Sequence, residues 1–311
     1  MEKFPRNNPE RKSGIIRIVG LEKGKEDEAL EAAGELFAEK QEFLKKEREK
    51  TPEEKAVIAF LNDHLPKFLE HYGAQPLKIS EDKIHIVSEK FFQSKKDVDA
   101  RYSIDDQAVF MKDDPNRSPL WFANRLAHEI IHFHAFQSLV ASPEGSALSL
   151  QGLRRFGFRV VKRGGEIVYF RHVDEALTEE LAKRFGKKFF AKLPALREDL
   201  EQLKRLIAIK LKEDPIMAGQ DFAYSELVEE KGYLQAALVP YAYPAEREEL
   251  KELIADLYGE NKNKFKSAEE VFELFARTAM TGRLLPAARL IEDTFGKGAF
   301  RDLGKSFEEL R

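Results

Sequence analysis

Hydrophobic residues recur at helical spacing in two segments of the first half of the chain. The first helix is predicted to begin after Thr51, which forms a capping-box pattern with Glu54, and to end near Gly73. The second is the strongly periodic stretch SPLWFANRLAHEIIHFHAFQSLV, residues 118–140, which begins at a Ser-Pro pair. Both segments are expected to bury one face against a core.

Short extended segments are predicted around these helices. Residues 77–79, 84–87 and 107–111 lie between polar turns, and the last two are rich in β-branched or aromatic residues. The apolar runs FRVV and EIVYF, separated by a Lys-Arg-Gly-Gly turn, predict a hairpin within residues 148–170. These segments indicate a small sheet beside the second helix.

Further helices are predicted in the rest of the chain. One is expected from about Val173 to Phe190, with Asp174 at its cap. From Pro194 onward the pattern predicts helices broken at prolines and glycines, and residues 25–50 form a highly charged helical pattern with a thin apolar stripe. The whole pattern is that of an α+β protein with helical additions at both ends.

Composition and charge narrow the classes of function. The net charge of −3 shows no basic excess, so nucleic acid is not an expected partner. The sequence has no cysteine, so a bound metal would need His, Asp or Glu ligands. No stretch has the length and apolarity of a membrane span or a signal-peptide core, which predicts a cytoplasmic protein without membrane contact.

The second helix contains His128-Glu129-Ile130-Ile131-His132, an HExxH motif. The two imidazoles project from one helical face and can bind one zinc ion, while Glu129 is placed to take a proton from zinc-bound water. Such a string occurs by chance in roughly one percent of chains this long, so its context matters. Here it lies on a predicted, half-buried helix, which favours a zinc site over two structural histidines.

Zinc hydrolases use a third protein ligand and leave a fourth position open. The HExxHxxGxxH solution is excluded because Ala135 and Ser138 occupy the required glycine and histidine positions. A downstream helix with a carboxylate remains, and VDEALTEELAKRF places Glu175 and Glu179 one turn apart. His172 is a rival ligand because it lies close before Glu175.

Asp174-Glu175-Ala176-Leu177-Thr178-Glu179, together with the HExxH, resembles the gluzincin group of zinc metallopeptidases, the thermolysin-like superfamily. Their glutamate helix reads roughly [ND]-E-x-x-[ST]-[DE]. The resemblance covers the two helices and the strand before them. It implies that Glu175 is the third zinc ligand and that Glu179 hydrogen-bonds a ligating histidine, for which His128 is the candidate.

The resemblance also implies a substrate strand and a donor for the oxyanion. In this group the strand before the HExxH helix pairs with an extended peptide, so Gln107, Ala108, Val109 and Phe110 are the candidate substrate-binding residues. The group usually supplies a downstream His or Tyr donor. No histidine follows His172, so a tyrosine is expected: Tyr233 first, with Tyr224 and Tyr241 as rivals.

The spacing of the candidate ligands departs from that of the compact members of that group. Glu175 follows His132 by 43 positions, a long separation that the predicted hairpin explains as an insertion. The expected architecture is a charged helical arm at 1–51, a zincin-like catalytic core at 52–190 and a helical C-terminal subdomain at 191–311. In the core, a small mixed sheet packs on the HExxH and glutamate helices.

The expected function is hydrolysis of peptide bonds in a peptide or protein substrate, with Zn²⁺ as cofactor and Glu129 as the base. The alternatives are a catalytically inactive protein in which zinc only staples two helices, a metal-free helical interaction protein, and a hydrolase of a non-peptide bond. The sequence leaves the oligomeric state and the cleavage specificity open.

Overall fold

The computed structural model describes residues 17–19, 47–92, 98–104, 106–114, 116–144, 147–162, 168–230 and 233–305. Within these ranges the protein is α+β, with small mixed and antiparallel sheets. The helices are α1 (Pro52–Glu70), α2 (Pro119–His134), α3 (Arg171–Phe189), α4 (Arg197–Glu213), α5 (Pro244–Glu260), α6 (Ala268–Thr281), α7 (Leu284–Phe295) and α8 (Ala299–Gly304). The strands are β1 (Arg17–Val19), β2 (Glu47–Arg48), β3 (Ile84–Val87), β4 (Ala100–Ser103), β5 (Ala108–Lys112), β6 (Gln137–Glu144), β7 (Ala147–Phe156), β8 (Arg159–Val161), β9 (Val168–Tyr169), β10 (Phe222–Glu230) and β11 (Tyr233–Pro240).

Three sheets are formed by these strands. The four-stranded sheet has the order β2-β3-β5-β4, in which β3 and β5 are parallel and the other pairs antiparallel. Among the described residues, β4 therefore lies at one edge of this sheet. The five-stranded sheet has the order β1-β6-β7-β8-β9, and β10 and β11 form a separate antiparallel hairpin.

Helix α1 begins as its sequence predicts. Glu54 N donates to the Thr51 hydroxyl, and the Glu54 carboxylate accepts from Thr51 N, which completes a capping box. The helix ends at Glu70, shortly before Gly73, whose φ of 86° favours glycine. Its apolar face packs against α2, so the first helix supports the HExxH helix.

Helix α2 starts at the predicted Ser118 cap, where the hydroxyl accepts from Trp121 N. It ends earlier than predicted, at His134, because Ala135 has an extended backbone and Gln137 begins β6. The prediction of helix through Val140 was therefore wrong for its last residues. Pairing with β7 outweighs the helical spacing of that segment.

Strands β8 and β9 confirm the predicted hairpin before α3. Helix α3 starts at Arg171, and its cap position is Phe170, so the prediction of Asp174 as the cap was wrong. Asp174 lies in the first turn, where its carboxylate accepts a hydrogen bond from Phe158 N at 2.8 Å. That bond ties the hairpin to the start of α3.

The C-terminal part differs from the prediction in one element. Residues within 222–240 form the antiparallel β10–β11 hairpin, where helix was expected, and its strands pair from Phe222↔Pro240 to Glu230↔Tyr233. The later helices α5 to α8 agree with the predicted helical character. Most of the predicted arm, at 1–16 and 20–46, lies outside the described residues, and residues 47–48 form a strand.

One hydrophobic cluster joins the helices of both halves. It includes Leu61 of α1, Ile131 of α2, Leu177 of α3 and Phe275 of α6, all nearly inaccessible to solvent. The three-part division of the chain stays a prediction. Within the described ranges, no helix combines the length and apolarity needed to cross a membrane.

Candidate metal centre

Two packed helices bring three side chains with metal-binding atoms to one point. His128 and His132 lie four positions apart on α2 and share one face, and Glu175 is the fifth residue of α3. Glu175 Oε2 is 3.3 Å from His128 Nε2 and 3.3 Å from His132 Nε2. All three side chains are buried, and their ligand atoms lie within 4.8 Å of one another.

This donor set fits a metal ion. Nitrogen and oxygen ligands bind zinc at about 2.0–2.1 Å in a tetrahedron, which places neighbouring ligand atoms about 3.3 Å apart. The measured separations to Glu175 Oε2 match that spacing. Three protein ligands of this kind leave one tetrahedral position for a small molecule such as water.

Glu179 fixes the orientation of the first histidine. His128 Nδ1 lies 2.6 Å from Glu179 Oε2, which leaves Nε2 directed at Glu175. Glu179 Oε1 accepts a second hydrogen bond, from Ala242 N at 2.8 Å. The carboxylate therefore joins α2, α3 and the segment that precedes α5.

The second histidine has a looser arrangement. His132 Nδ1 is 3.8 Å from Asp174 Oδ2, too long for a hydrogen bond, and among the described residues it has no hydrogen-bond partner. Phe156 packs beside the imidazole with ring centroids 5.1 Å apart. Packing, more than hydrogen bonding, thus holds this ring in place.

Arg159 lies on the side of the Glu175 carboxylate that faces away from the histidines. Its Nη2 donates to Glu175 Oε1 at 2.6 Å, and its Nε donates to Asp174 Oδ2 at 2.8 Å. The guanidinium holds one carboxylate oxygen of Glu175, so the other, Oε2, faces the histidines. The predicted hairpin insertion supplies this arginine, through β8.

Charges at the centre shift the pKa values of its members. Burial raises the pKa of Glu175, but the Arg159 charge and hydrogen bonds with His128 and His132 outweigh it and hold that pKa well below its usual range. Burial lowers the pKa of His128, yet hydrogen bonds with Glu175 and Glu179 raise it to about 10. Without a metal, His128 is therefore protonated at neutral pH.

His128, His132 and Glu175 are called the ligand cluster below. Glu129 lies beside this cluster and is not one of its members. Its Oε2 accepts a hydrogen bond from Tyr102 N at 2.6 Å. Tyr102 belongs to β4, so this bond fixes the carboxylate against the edge of the four-stranded sheet. Glu129 is adjacent in the chain to His128 and is buried with it.

The predicted substrate strand is not at this edge. Ala108, Val109 and Phe110 lie in β5, which pairs with β3 on one side and β4 on the other, while Gln107 precedes it. All four residues are buried. Strand β5 is thus paired along both edges, and the edge strand that contacts Glu129 is β4.

The three tyrosines predicted as oxyanion donors lie in different surroundings. Tyr233 is 78% exposed on the β10–β11 hairpin and outside the ligand cluster, which removes the basis for choosing it. Tyr224 accepts a hydrogen bond from Arg125, and the ring of Tyr241 lies against Arg247. Both rivals are buried, but neither ring contacts the histidines through the contacts described.

Tyr243, which the sequence reasoning missed, is the tyrosine at the centre. Its ring stacks on His128 with centroids 5.9 Å apart. Burial raises the pKa of its hydroxyl, and the charges of Glu175 and Glu129 raise it further. Its φ of 54° is unusual for a tyrosine, and such backbone conformations cluster at functional sites. In the sequence, only its position before Pro244, at a helix start, distinguishes it.

Comparison with known proteins gives no relative: no family model matches the chain, and no curated protein and no solved structure matches it.

Proposed function

We propose that this protein is a zinc-dependent metallopeptidase of the gluzincin type, with a zincin-like core formed by α2, α3 and the four-stranded sheet. The observation that carries the proposal is the position of Glu129 between the ligand cluster and the edge strand β4. A carboxylate beside a structural zinc site usually orients a ligating histidine, as Glu179 does for His128, whereas the hydrogen bond described for Glu129 is with the main chain of Tyr102. A hydrolase needs such a carboxylate as a base.

His128, His132 and Glu175 would hold the zinc ion, while Glu179 orients His128 and Arg159 orients Glu175 through hydrogen bonds. The donor chemistry favours zinc, since imidazole and carboxylate ligands in a tetrahedral arrangement are typical of catalytic zinc sites. A bound zinc ion supplies Lewis acidity to water and to the scissile carbonyl.

Residues of the chain perform the remaining steps. Glu129 accepts a proton from the attacking water and passes it to the leaving amine nitrogen as the peptide bond breaks. Tyr243 donates a hydrogen bond to the carbonyl oxygen as negative charge develops there. Because its pKa is raised, the Tyr243 hydroxyl keeps its proton at neutral pH and remains a donor.

Strand β4 would hold the peptide. A substrate in extended conformation can add to the outer edge of β4 and pair antiparallel with it, so that main-chain hydrogen bonds position the scissile bond. Tyr102 N, which binds Glu129, belongs to that edge. The pairing therefore brings the scissile carbonyl to Glu129.

Metal content and turnover test the proposal together. Protein purified without added metal is expected to contain about one zinc per chain, and Glu175→Ala to lose most of it, whereas Glu180→Ala, the matched change on the same helix, keeps it. Glu129→Gln is expected to keep zinc but to lose cleavage of an unstructured protein such as casein. Cleavage that persists in Glu129→Gln, or absence of zinc from the wild type after reconstitution, would overturn the proposal.

A further inference from the structure

Arg125 lies one helical turn before the HExxH motif, on the side of α2 that carries His128 and Glu129. It precedes His128 by three positions and Glu129 by four, so all three side chains project from the same side of the helix. The side chain is 24% exposed. A cationic residue thus lies one helical turn before the proposed catalytic base, and the hydrolytic steps above make no use of it.

The guanidinium is only loosely satisfied. Its Nη2 is 3.4 Å from the Tyr224 hydroxyl, and the nearest carboxylate oxygen in the described part of the chain, Asp99 Oδ2, is 4.0 Å away. Among the described residues, Arg125 Nε is buried without a hydrogen-bond partner. Partly buried guanidinium groups normally form short, often bidentate bonds with an anion.

Glu179 also attracts this arginine electrostatically, but its two oxygens already accept hydrogen bonds from His128 and Ala242 N. Tyr224 is buried at the start of β10, which is attached to α2 by a hydrogen bond from Asn124 Nδ2 to Ala223 O at 3.1 Å. The guanidinium on α2 and the hydroxyl on β10 are therefore held close together, and Arg125 Nε has no hydrogen-bond partner among the described residues.

The position of Arg125 along β4 defines which part of a peptide it faces. Asp99 immediately precedes β4, whereas Glu129 contacts Tyr102, three positions further along. These points are about 10 Å apart in an extended strand. A peptide antiparallel to β4 runs from the Ser103 end toward the Ala100 end, so its leaving-group side passes Arg125.

We propose that Arg125 and Tyr224 form a carboxylate subsite for the part of the substrate on the leaving-group side of the scissile bond. The subsite rests on the proposed peptidase function and names its substrate class: peptides with an Asp or Glu side chain just after the cleaved bond, or with a free C-terminal carboxylate at that distance. Both sources present the same planar anion to the arginine.

Binding measured without cleavage separates this subsite from the hydrolytic function. Zinc-loaded Glu129→Gln protein is titrated with a fluorescent peptide library in which each position carries either Glu or Gln, with the C-terminus free or amidated. We expect one Glu position, or the free terminus, to improve affinity by roughly ten- to a hundredfold. The gain should vanish in Glu129→Gln/Arg125→Gln and persist in part in Glu129→Gln/Arg125→Lys.

The two carboxylate sources give different results. A gain that is independent of amidation identifies an acidic side chain, and a gain lost on amidation identifies the chain terminus. Equal affinities for all Glu and Gln peptides in the Arg125-containing protein would overturn the subsite, as would a gain that survives in Arg125→Gln.

Turnover of the same library by otherwise wild-type protein gives the second readout. Cleavage with no preference for a carboxylate overturns the subsite and leaves the peptidase function standing. A charge-dependent binding gain without any cleavage supports the subsite and contradicts the peptidase function. Charge reversal in Arg125→Glu should transfer the preference to Lys peptides, which a purely structural arginine would not do.

Discussion

The His128 imidazole and the Glu179 carboxylate meet across two helices, with Nδ1 and Oε2 2.6 Å apart. This contact fixes which nitrogen of His128 faces the centre. Because Glu179 also accepts a hydrogen bond from Ala242 N, the same carboxylate positions the segment that carries Tyr243. One side chain thus couples the geometry of the ligand set to that of the proposed oxyanion donor.

Glu179→Gln is expected to weaken zinc binding roughly ten- to a hundredfold, because partners of this kind orient the ligating histidine and raise its basicity. Affinity is measured by competition with a chromophoric chelator. The matched control is Glu180→Gln, whose carboxylate pairs with Lys183, Arg184 and Arg247. Equal zinc affinity in both variants would contradict the role of Glu179.

Tyr243→Phe is expected to lower kcat by roughly a hundred- to a thousandfold, since it removes one donor to the developing oxyanion. Zinc content and KM should change little, because the ring that stacks on His128 is kept. Steady-state kinetics on one peptide measure the effect. Tyr233→Phe is the control, and because Tyr233 is exposed on the hairpin, this change should leave kcat unchanged. A normal kcat in Tyr243→Phe would remove this donor from the mechanism.

The ligand cluster follows from local spacing, which explains why the sequence predicts it. His128, His132, Glu175 and Glu179 are each placed by the 3.6-residue period of a helix whose pattern is strong. Once α2 and α3 pack against each other, the distances between these four residues are nearly determined. Only the packing of α2 against α3 joins residues distant in sequence, and the resemblance to the gluzincins implied that packing.

The features that escaped prediction depend on partners distant in sequence. The outer edge belongs to β4 and not β5 because of strand order, and no local pattern encodes that order. Tyr243 reaches His128 because Ala242 is bonded to Glu179, 63 positions earlier in the chain. The β10–β11 hairpin likewise has apolar residues whose spacing allowed either helix or strand.

Arg159→Met is expected to destabilise the metal-free protein by about 3 kcal/mol at pH 7, because it leaves Asp174 and Glu175 buried without their cation. The depressed pKa of Glu175 contributes stability above the ordinary pKa of a glutamate, and this contribution is lost as the pH falls. The deficit should therefore shrink in acid. It should also shrink in the zinc-loaded protein, where the ion neutralises Glu175.

Urea unfolding of both proteins, with and without zinc, at pH 7 and pH 4, measures that deficit. Arg154→Met is the control on the neighbouring strand β7, since Arg154 bonds only to the main-chain oxygen of Val161 among the hydrogen bonds described for it. Equal stability of Arg159→Met and Arg154→Met at pH 7 would contradict the role of the buried ion pair.

Zinc binding is expected to release about one proton per ion at pH 7. Hydrogen bonds with Glu175 and Glu179 outweigh the effect of burial and raise the pKa of His128 to about 10, so the metal-free imidazole carries a proton that coordination must displace. Zinc affinity should then increase about tenfold per pH unit between pH 6 and 8. His134 adds nothing to this release, because burial lowers its pKa to about 4.

Calorimetric titration in two buffers of different ionisation enthalpy counts the released protons directly. In Glu179→Gln the partner of Nδ1 loses its charge, so the pKa of His128 falls, and fewer protons should be released at pH 8 than by the wild type. A zinc affinity independent of pH, with no proton release, would mean that His128 is already neutral in the metal-free protein. The charge of Glu179 would then act only on the zinc-loaded state, and the two states would no longer be coupled through this histidine.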